Sequence, residues 1–133
     1  MAQYKVGVII VDEQIEFAHR NMAAVTESLK ALGCTEQNIL FRHAPRMFNV
    51  TLTTQFLAEY TDVDAVVILA EDDHTPAYEA TLYGITKLQI AWNMPITIGD
   101  VTAAADAIEM VALQNKMEAE APENISPDRK SIN

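Results

Sequence analysis

A chain of 133 residues suits one domain with a single core, and its half-hydrophobic composition without a long uninterrupted apolar run argues against both disorder and a membrane span. Nineteen acidic residues against nine basic ones give a formal net charge of −10, which argues against nucleic acid and anionic membrane surfaces as partners, since both ask for a basic face. A strand follows Met1 directly, with no basic-then-apolar leader, so a cytoplasmic location is expected.

The chain order reads strand, helix, strand, helix, strand, helix, strand, helix, tail. Val6 to Val11 is a uniformly apolar run, as expected of a strand covered on both faces, and it empties into Asp12, Glu13 and Gln14. The helix that follows carries Met22, Val25, Leu29 and Leu32 at steps of three and four, and Gly33 closes it. Cys34 is the single cysteine, expected to be a half-buried thiol with no disulfide partner within the chain. Ile39 to His43 forms the second strand. Thr51 to Tyr60 forms a second helix expected to pack through Leu52, Phe56, Leu57 and Tyr60, and Ala65 to Ala70 a third strand. Thr75-Pro76 starts a third helix, with proline at its first position and Glu79 in its first turn; Tyr78, Leu82, Ile85, Leu88 and Trp92 are expected on one face. Ile96 to Gly99 is the last strand, and the last helix runs from about Ala103 to Ala121. These elements define one α/β domain over residues 1–121, followed by a polar tail over 122–133. Alternating strands and helices with short links predict an open parallel sheet with right-handed crossovers and helices on both faces.

Two families of parallel sheet compete for this pattern. The Val11-Asp12-Glu13 end of the first strand is similar to that of a two-component receiver domain. A phosphoaspartyl switch also needs an acceptor carboxylate at the end of the third strand, where Leu69 stands, and a lysine after the last strand, where none follows Gly99. The receiver reading is therefore rejected.

The spacing from Arg20 to Val67 resembles lumazine synthase. The helix closing at Gly33, then Glu36-Gln37-Asn38-Ile39, Pro45-Arg46-Met47-Phe48-Asn49 and Val63-Asp64-Ala65-Val66-Val67 follow at that family's intervals without a gap. Pro95, Gly99, Thr102 and Ala107-Ile108-Glu109 continue the likeness, which covers roughly residues 5–118. The resemblance implies a flavodoxin-like three-layer α/β fold with four parallel strands in the order 2-1-3-4. It also implies a link to riboflavin biosynthesis, through condensation of a ribitylaminouracil with a dihydroxybutanone phosphate. No cofactor and no metal is implied, and the partner is a small molecule held in a cleft between subunits of a homo-oligomer, a pentamer foremost.

Ligands of open parallel sheets sit at the carboxyl ends of the strands, and four segments there are compared with the family. Glu13 stands where the family stacks an aromatic on the pyrimidine, and Phe17, one turn away, is expected to be a core residue unless the loop re-routes to make it the replacement π-face. Phe48 retains an aromatic in the second segment, beside Arg46, Met47 and Asn49; the asparagine has a donor and an acceptor for a ribityl hydroxyl. In the third, a glycine-rich phosphate loop is replaced by the shorter Glu71-Asp72-Asp73-His74, with Tyr78 following. His74 falls within one residue of the family's proton-shuttling histidine and is the candidate catalytic residue. Asp72 and Asp73 oppose a phosphate dianion by about 1 kcal/mol each at 4 Å even in water, so either that phosphate no longer binds here or a divalent cation bridges it. In the fourth, Met110 occupies a phosphate-arginine position, and Lys116 falls inside the last helix. His19 and His43 are expected to be structural or surface residues. The resemblance implies a transferase with weak or lost parental activity; a homologue turned to another condensation or binding role and a non-catalytic assembly protein remain the alternatives.

Overall fold

The computed structural model describes residues 3–122, so the polar tail expected beyond Pro122 lies outside the described residues. Strands β1 (Val6–Val11), β2 (Ile39–Ala44), β3 (Ala65–Leu69) and β4 (Ile96–Gly99) alternate with helices α1 (Ile15–Ala31), α2 (Val50–Tyr60), α3 (Pro76–Trp92) and α4 (Val101–Glu120). The strands form one sheet in the order β2-β1-β3-β4, and each pairing is parallel. Helices α1 and α4 cover one face and α2 and α3 the other, which is the three-layer α/β architecture expected from the sequence.

Strand chemistry explains the order. β1 and β3 are buried at every position, because each has a neighbour on both sides and helices on both faces. Alternate side chains feed two cores: Val6, Val8 and Ile10 meet Val25, Leu29 and Ile108, whereas Ile9 and Val11 meet Val50, Leu57 and Ile85. Fully buried Ile9, Leu57, Ile68 and Leu69 each contribute roughly 1.5–3 kcal/mol of transfer free energy. The polar residues of the edge strands, Arg42 and His43 in β2 and Thr97 in β4, stand where the sheet is only partly covered.

Helices α2 and α3 lie unusually close at one point. A Cβ added to Gly84 of α3 would sit 2.6 Å from Thr51 Oγ1 and 2.7 Å from its Cγ2, so only glycine permits this approach.

Helix orientation departs from expectation at several large residues. α2 packs through Val50, Thr54 and Leu57, leaving Leu52, Phe56 and Tyr60 exposed. The two stripes are both apolar at helical spacing. Thr54 turns inward because its hydroxyl donates to the Val50 carbonyl at 2.8 Å, which satisfies it within the helix. In α3 the buried face is Tyr78, Thr81, Ile85 and Leu88, while Leu82 and Trp92 are exposed. Cys34 is fully rather than half buried, and burial raises its thiol to about 11. No helix among the described residues is long and apolar enough to cross a membrane.

Candidate functional site

The loops after β1, β2 and β3 meet at the carboxyl edge of the sheet, tied together by three consecutive side chains. Asp12, Glu13 and Gln14 form a 3-10 turn in which each residue reaches a different element. Asp12 Oδ1 lies 2.7 Å from His43 Nδ1 near the end of β2. Glu13 Oε2 accepts the Met47 N–H at 3.1 Å. The Gln14 amide donates to the Glu71 carbonyl at 3.0 Å and accepts the Glu71 N–H at 2.9 Å, using both ends of its side chain.

The segment after β2 is a second 3-10 turn, Met47–Asn49. Met47 is buried in the α2/α3 core, and its carbonyl accepts the Thr81 hydroxyl at 3.1 Å, which joins this turn to α3. Asn49 Oδ1 accepts the Arg46 N–H at 3.1 Å, and the Arg46 carbonyl accepts the Asn49 N–H at 2.9 Å. That closes the turn and engages the Asn49 side chain through its oxygen. Phe48, held between these anchors, is 77% exposed. The Arg46 guanidinium comes no nearer to Glu13 than 3.9 Å with both side chains wet, a pair of little energetic weight.

After β3, the acidic loop caps itself. Asp72 Oδ1 accepts the His74 N–H at 2.8 Å, and Asp73 Oδ1 accepts from Thr75 twice, from its N–H at 3.1 Å and its hydroxyl at 2.6 Å. The Thr75 hydroxyl oxygen in turn accepts the Tyr78 N–H at 3.2 Å as the N-cap of α3. Pro76 has no N–H to give. The start of α3 thus has most of its backbone donors absent or already engaged, and it faces two carboxylates. A helix start attracts a phosphate through free N–H groups and positive potential, and this one has little of either left. The Thr75 hydroxyl holds the Asp73 carboxyl below the usual carboxylate range. Burial, reinforced by Asp72 and then Asp73, pushes the Tyr78 phenol above its ordinary value. His74 has φ 59°, a left-handed backbone in a residue other than glycine, and its Nδ1 lies 3.6 Å from Asp72 Oδ1 with the side chain 87% exposed.

At the end of β4, Asp100 caps α4 by accepting the Thr102 N–H at 3.0 Å and its hydroxyl at 2.9 Å, and these bonds hold its carboxyl below the usual range. Exposed Asp12, Glu13, Glu71, Asp72, Asp73 and Asp100 therefore outnumber the cations of this edge. Among the described residues no group of three or more His, Cys, Asp or Glu is placed to hold a metal ion.

The fold brings Glu13, Arg46, Met47 and Asn49 into one hydrogen-bonded unit, with Phe48 standing out of it and Tyr78 beneath the acidic loop. Phe17 stands apart from that unit, packed against the core on the α1/α4 face. Met110 is half-exposed on α4, and Lys116 is an exposed residue inside the same helix. A groove of about 470 Å³ lined by Met94, Pro95, Met110, Leu113 and Met117 lies toward the opposite end of the sheet. The Asp12–His43 contact was not expected from the sequence. Its signal is the strand order itself: with β2 beside β1 and Ile10 opposite His43, the residue after Val11 falls next to that imidazole.

The fold and this edge define a three-layer α/β protein whose parallel sheet gathers the loops after β1, β2 and β3 at one end. No family profile matches the chain. Curated relatives are nonetheless consistent, and each is a 6,7-dimethyl-8-ribityllumazine synthase. The protein of Porphyromonas gingivalis is 25% identical over 104 residues, covering 74% of this chain and 65% of the relative. That of Bacteroides fragilis is 24% identical over 104 residues, covering 74% and 73%. That of Levilactobacillus brevis is 26% identical over 106 residues, covering 75% and 68%. The chain is a lumazine-synthase-like protein, a divergent relative that spans about two thirds of the length of these synthases.

Proposed function

We propose that this protein is linked to riboflavin biosynthesis as a lumazine-synthase-type transferase that retains the amine side of the condensation and has weak or lost handling of the sugar phosphate. The observation that carries this reading is the continuity of the likeness to lumazine synthases across about three quarters of the chain, on a sheet of order β2-β1-β3-β4. In this reading the ribitylaminouracil lies against Phe48, with the Asn49 amide toward its ribityl hydroxyls and Arg46, Met47, Glu13 and Tyr78 around it. Phe17 contributes only through rearrangement of the first loop. His74 is the proton-transfer residue at the start of α3, and Asp72 and Asp73 set the charge that the second substrate meets.

The weakness toward phosphate follows from the self-capped start of α3. Its carboxylates and the Thr75 hydroxyl take donors that an anion needs, and the carboxylates add repulsion.

The site belongs to a homo-oligomer, a pentamer, in the cytoplasm. Support comes from the apolar surface. Phe48, Leu52, Phe56 and Tyr60 recur every four residues through the turn before α2 and along it, and Met110, Leu113 and Met117 are exposed on α4. Contiguous apolar surface of this kind marks an interface.

Titration with the ribitylaminouracil tests the assignment. Binding that weakens at least about tenfold in Phe48→Ala, as expected for a lost stacking partner, supports it. No binding to the intact protein overturns it.

A further inference from the structure

We propose that the groove at the amino end of the sheet is a binding site for an amphipathic organic cation, an alkyl chain bearing an ammonium head. The site stands apart from the carboxyl-edge loops and does not depend on the reading above.

The groove has two sections, between the end of α3 and the half of α4 from Met110 onward. One, of about 470 Å³, is lined by Met94, Pro95, Met110, Leu113 and Met117. The other, of about 310 Å³, is lined by Asp64, Trp92 and Asn115. Asn93, Met94, Gln114 and Glu118 line both, so the two sections adjoin. Each is of a size that holds a small molecule. Gln114 Nε2 donates to the Asn93 carbonyl at 2.8 Å, which ties α4 to the end of α3 at the junction. The larger section is rich in methionine, whose flexible thioether side chains pack around an alkyl chain of no fixed shape.

Charge selects the head group. Asp64 and Glu118 line the smaller section, and no Lys or Arg lines either one. Asp64 is held in place: its Oδ2 accepts the Lys5 N–H at 2.9 Å while its own N–H donates to the Lys5 carbonyl. The Lys5 ammonium is engaged by Asp62 at 2.8 Å. Helices α3 and α4 both end beside the groove, and neither has a basic residue in its last turn, so the negative ends of both helix dipoles lack a cation. The Trp92 indole, 42% exposed, adds an aromatic face of the kind that attracts an ammonium. An anionic or uncharged amphiphile gains none of these terms. A second copy, itself carrying a net charge of −10, fits the acidic end less well. The stripe on α2, on the other side of the sheet, remains for contact between copies.

Titration of the intact protein with octylammonium tests this. It is read through the fluorescence of Trp92, the chain's single tryptophan, and through the methyl NMR signals of Met110 and Met117. All three signals are expected to move together and to saturate. Octylammonium should bind at least about tenfold tighter than butylammonium, which lacks four CH2 groups, and than octanoate, which reverses the charge. Asp64→Asn combined with Glu118→Gln should weaken octylammonium about tenfold, whereas Glu16→Gln on the exposed surface of α1 should bind as the parent does. Octanoate that binds as tightly as octylammonium overturns the proposal, and so does a Trp92 signal unmoved at millimolar probe. A groove closed to the probe until the protein is diluted to monomers assigns this face to a second copy and likewise overturns it.

Discussion

Glu13 Oε2 accepts the backbone N–H of Met47 at 3.1 Å, joining the turn after β1 to the turn after β2 across 34 residues of sequence. The lumazine synthase likeness places an aromatic at this position. Here a carboxylate acts on backbone instead, and the Phe48 turn is held from below by Glu13 and from α3 by Thr81.

Glu13→Ala should therefore lower stability by about 1 kcal/mol, below the roughly 1.5–3 kcal/mol of a hydrogen bond to a charged group because the side chain is half exposed. Glu13→Gln, whose amide oxygen still accepts, should recover most of it. Urea unfolding measures both; an alanine variant with unchanged midpoint would show that the contact carries no stability.

Gly84→Ala should cost about 2 kcal/mol, because the new methyl overlaps Thr51 and α2 and α3 must part to admit it. The double variant Thr51→Ala, Gly84→Ala should regain more than half of that loss. Equal instability of the single and double variants would place the strain elsewhere.

Phe56→Glu should break the assembly without unfolding the protomer. Phe56 is 46% exposed, and its ring lies 6.0 Å from that of Tyr60, at the centre of the outward stripe on α2. Light scattering is expected to give a pentamer for the parent and smaller species for the variant. A parent that is monomeric at micromolar concentration would contradict the oligomeric reading.

Cys34 should resist thiol reagents at pH 8 until the chain unfolds, since burial and then the Asp64 charge lift its pKa from 9.0 to about 11. The linkage has a definite sign. The unfolded thiol ionises first, so this group's contribution to stability is complete below pH 9 and falls as pH rises from 9 toward 11. Rapid modification of the native protein would show a more open end of α1 than the packing against Leu29 and Ile39 indicates.

The sheet was legible in the sequence because β1 and β3 are buried on both faces and carry no polar residue from Val6 to Val11 or from Ala65 to Leu69. Pro76 and Gly33 marked helix ends for the same local reasons that place them there. The faces of α2 and α3 were not legible. Leu52, Phe56 and Tyr60 repeat as regularly as the buried Val50, Thr54 and Leu57, and apolar character alone does not separate a core stripe from an outward one. Site residues were found as segments but not as contacts. Asp12–His43, Glu13–Met47 and Gln14–Glu71 join positions 31, 34 and 57 apart, and those meetings depend on strand register rather than on any local motif.

Lumazine formation from the ribitylaminouracil and dihydroxybutanone phosphate, followed by fluorescence, tests the account most directly. The proposed loss of at least two charge-assisted phosphate contacts, each worth about 1.5–3 kcal/mol, predicts a rate roughly a hundredfold or more below that of synthases with an intact glycine-rich loop. Asp72→Gly with Asp73→Gly should raise it by freeing the donors at the start of α3. A parent protein that forms lumazine as fast as those synthases would contradict the claim that this edge has given up its phosphate site.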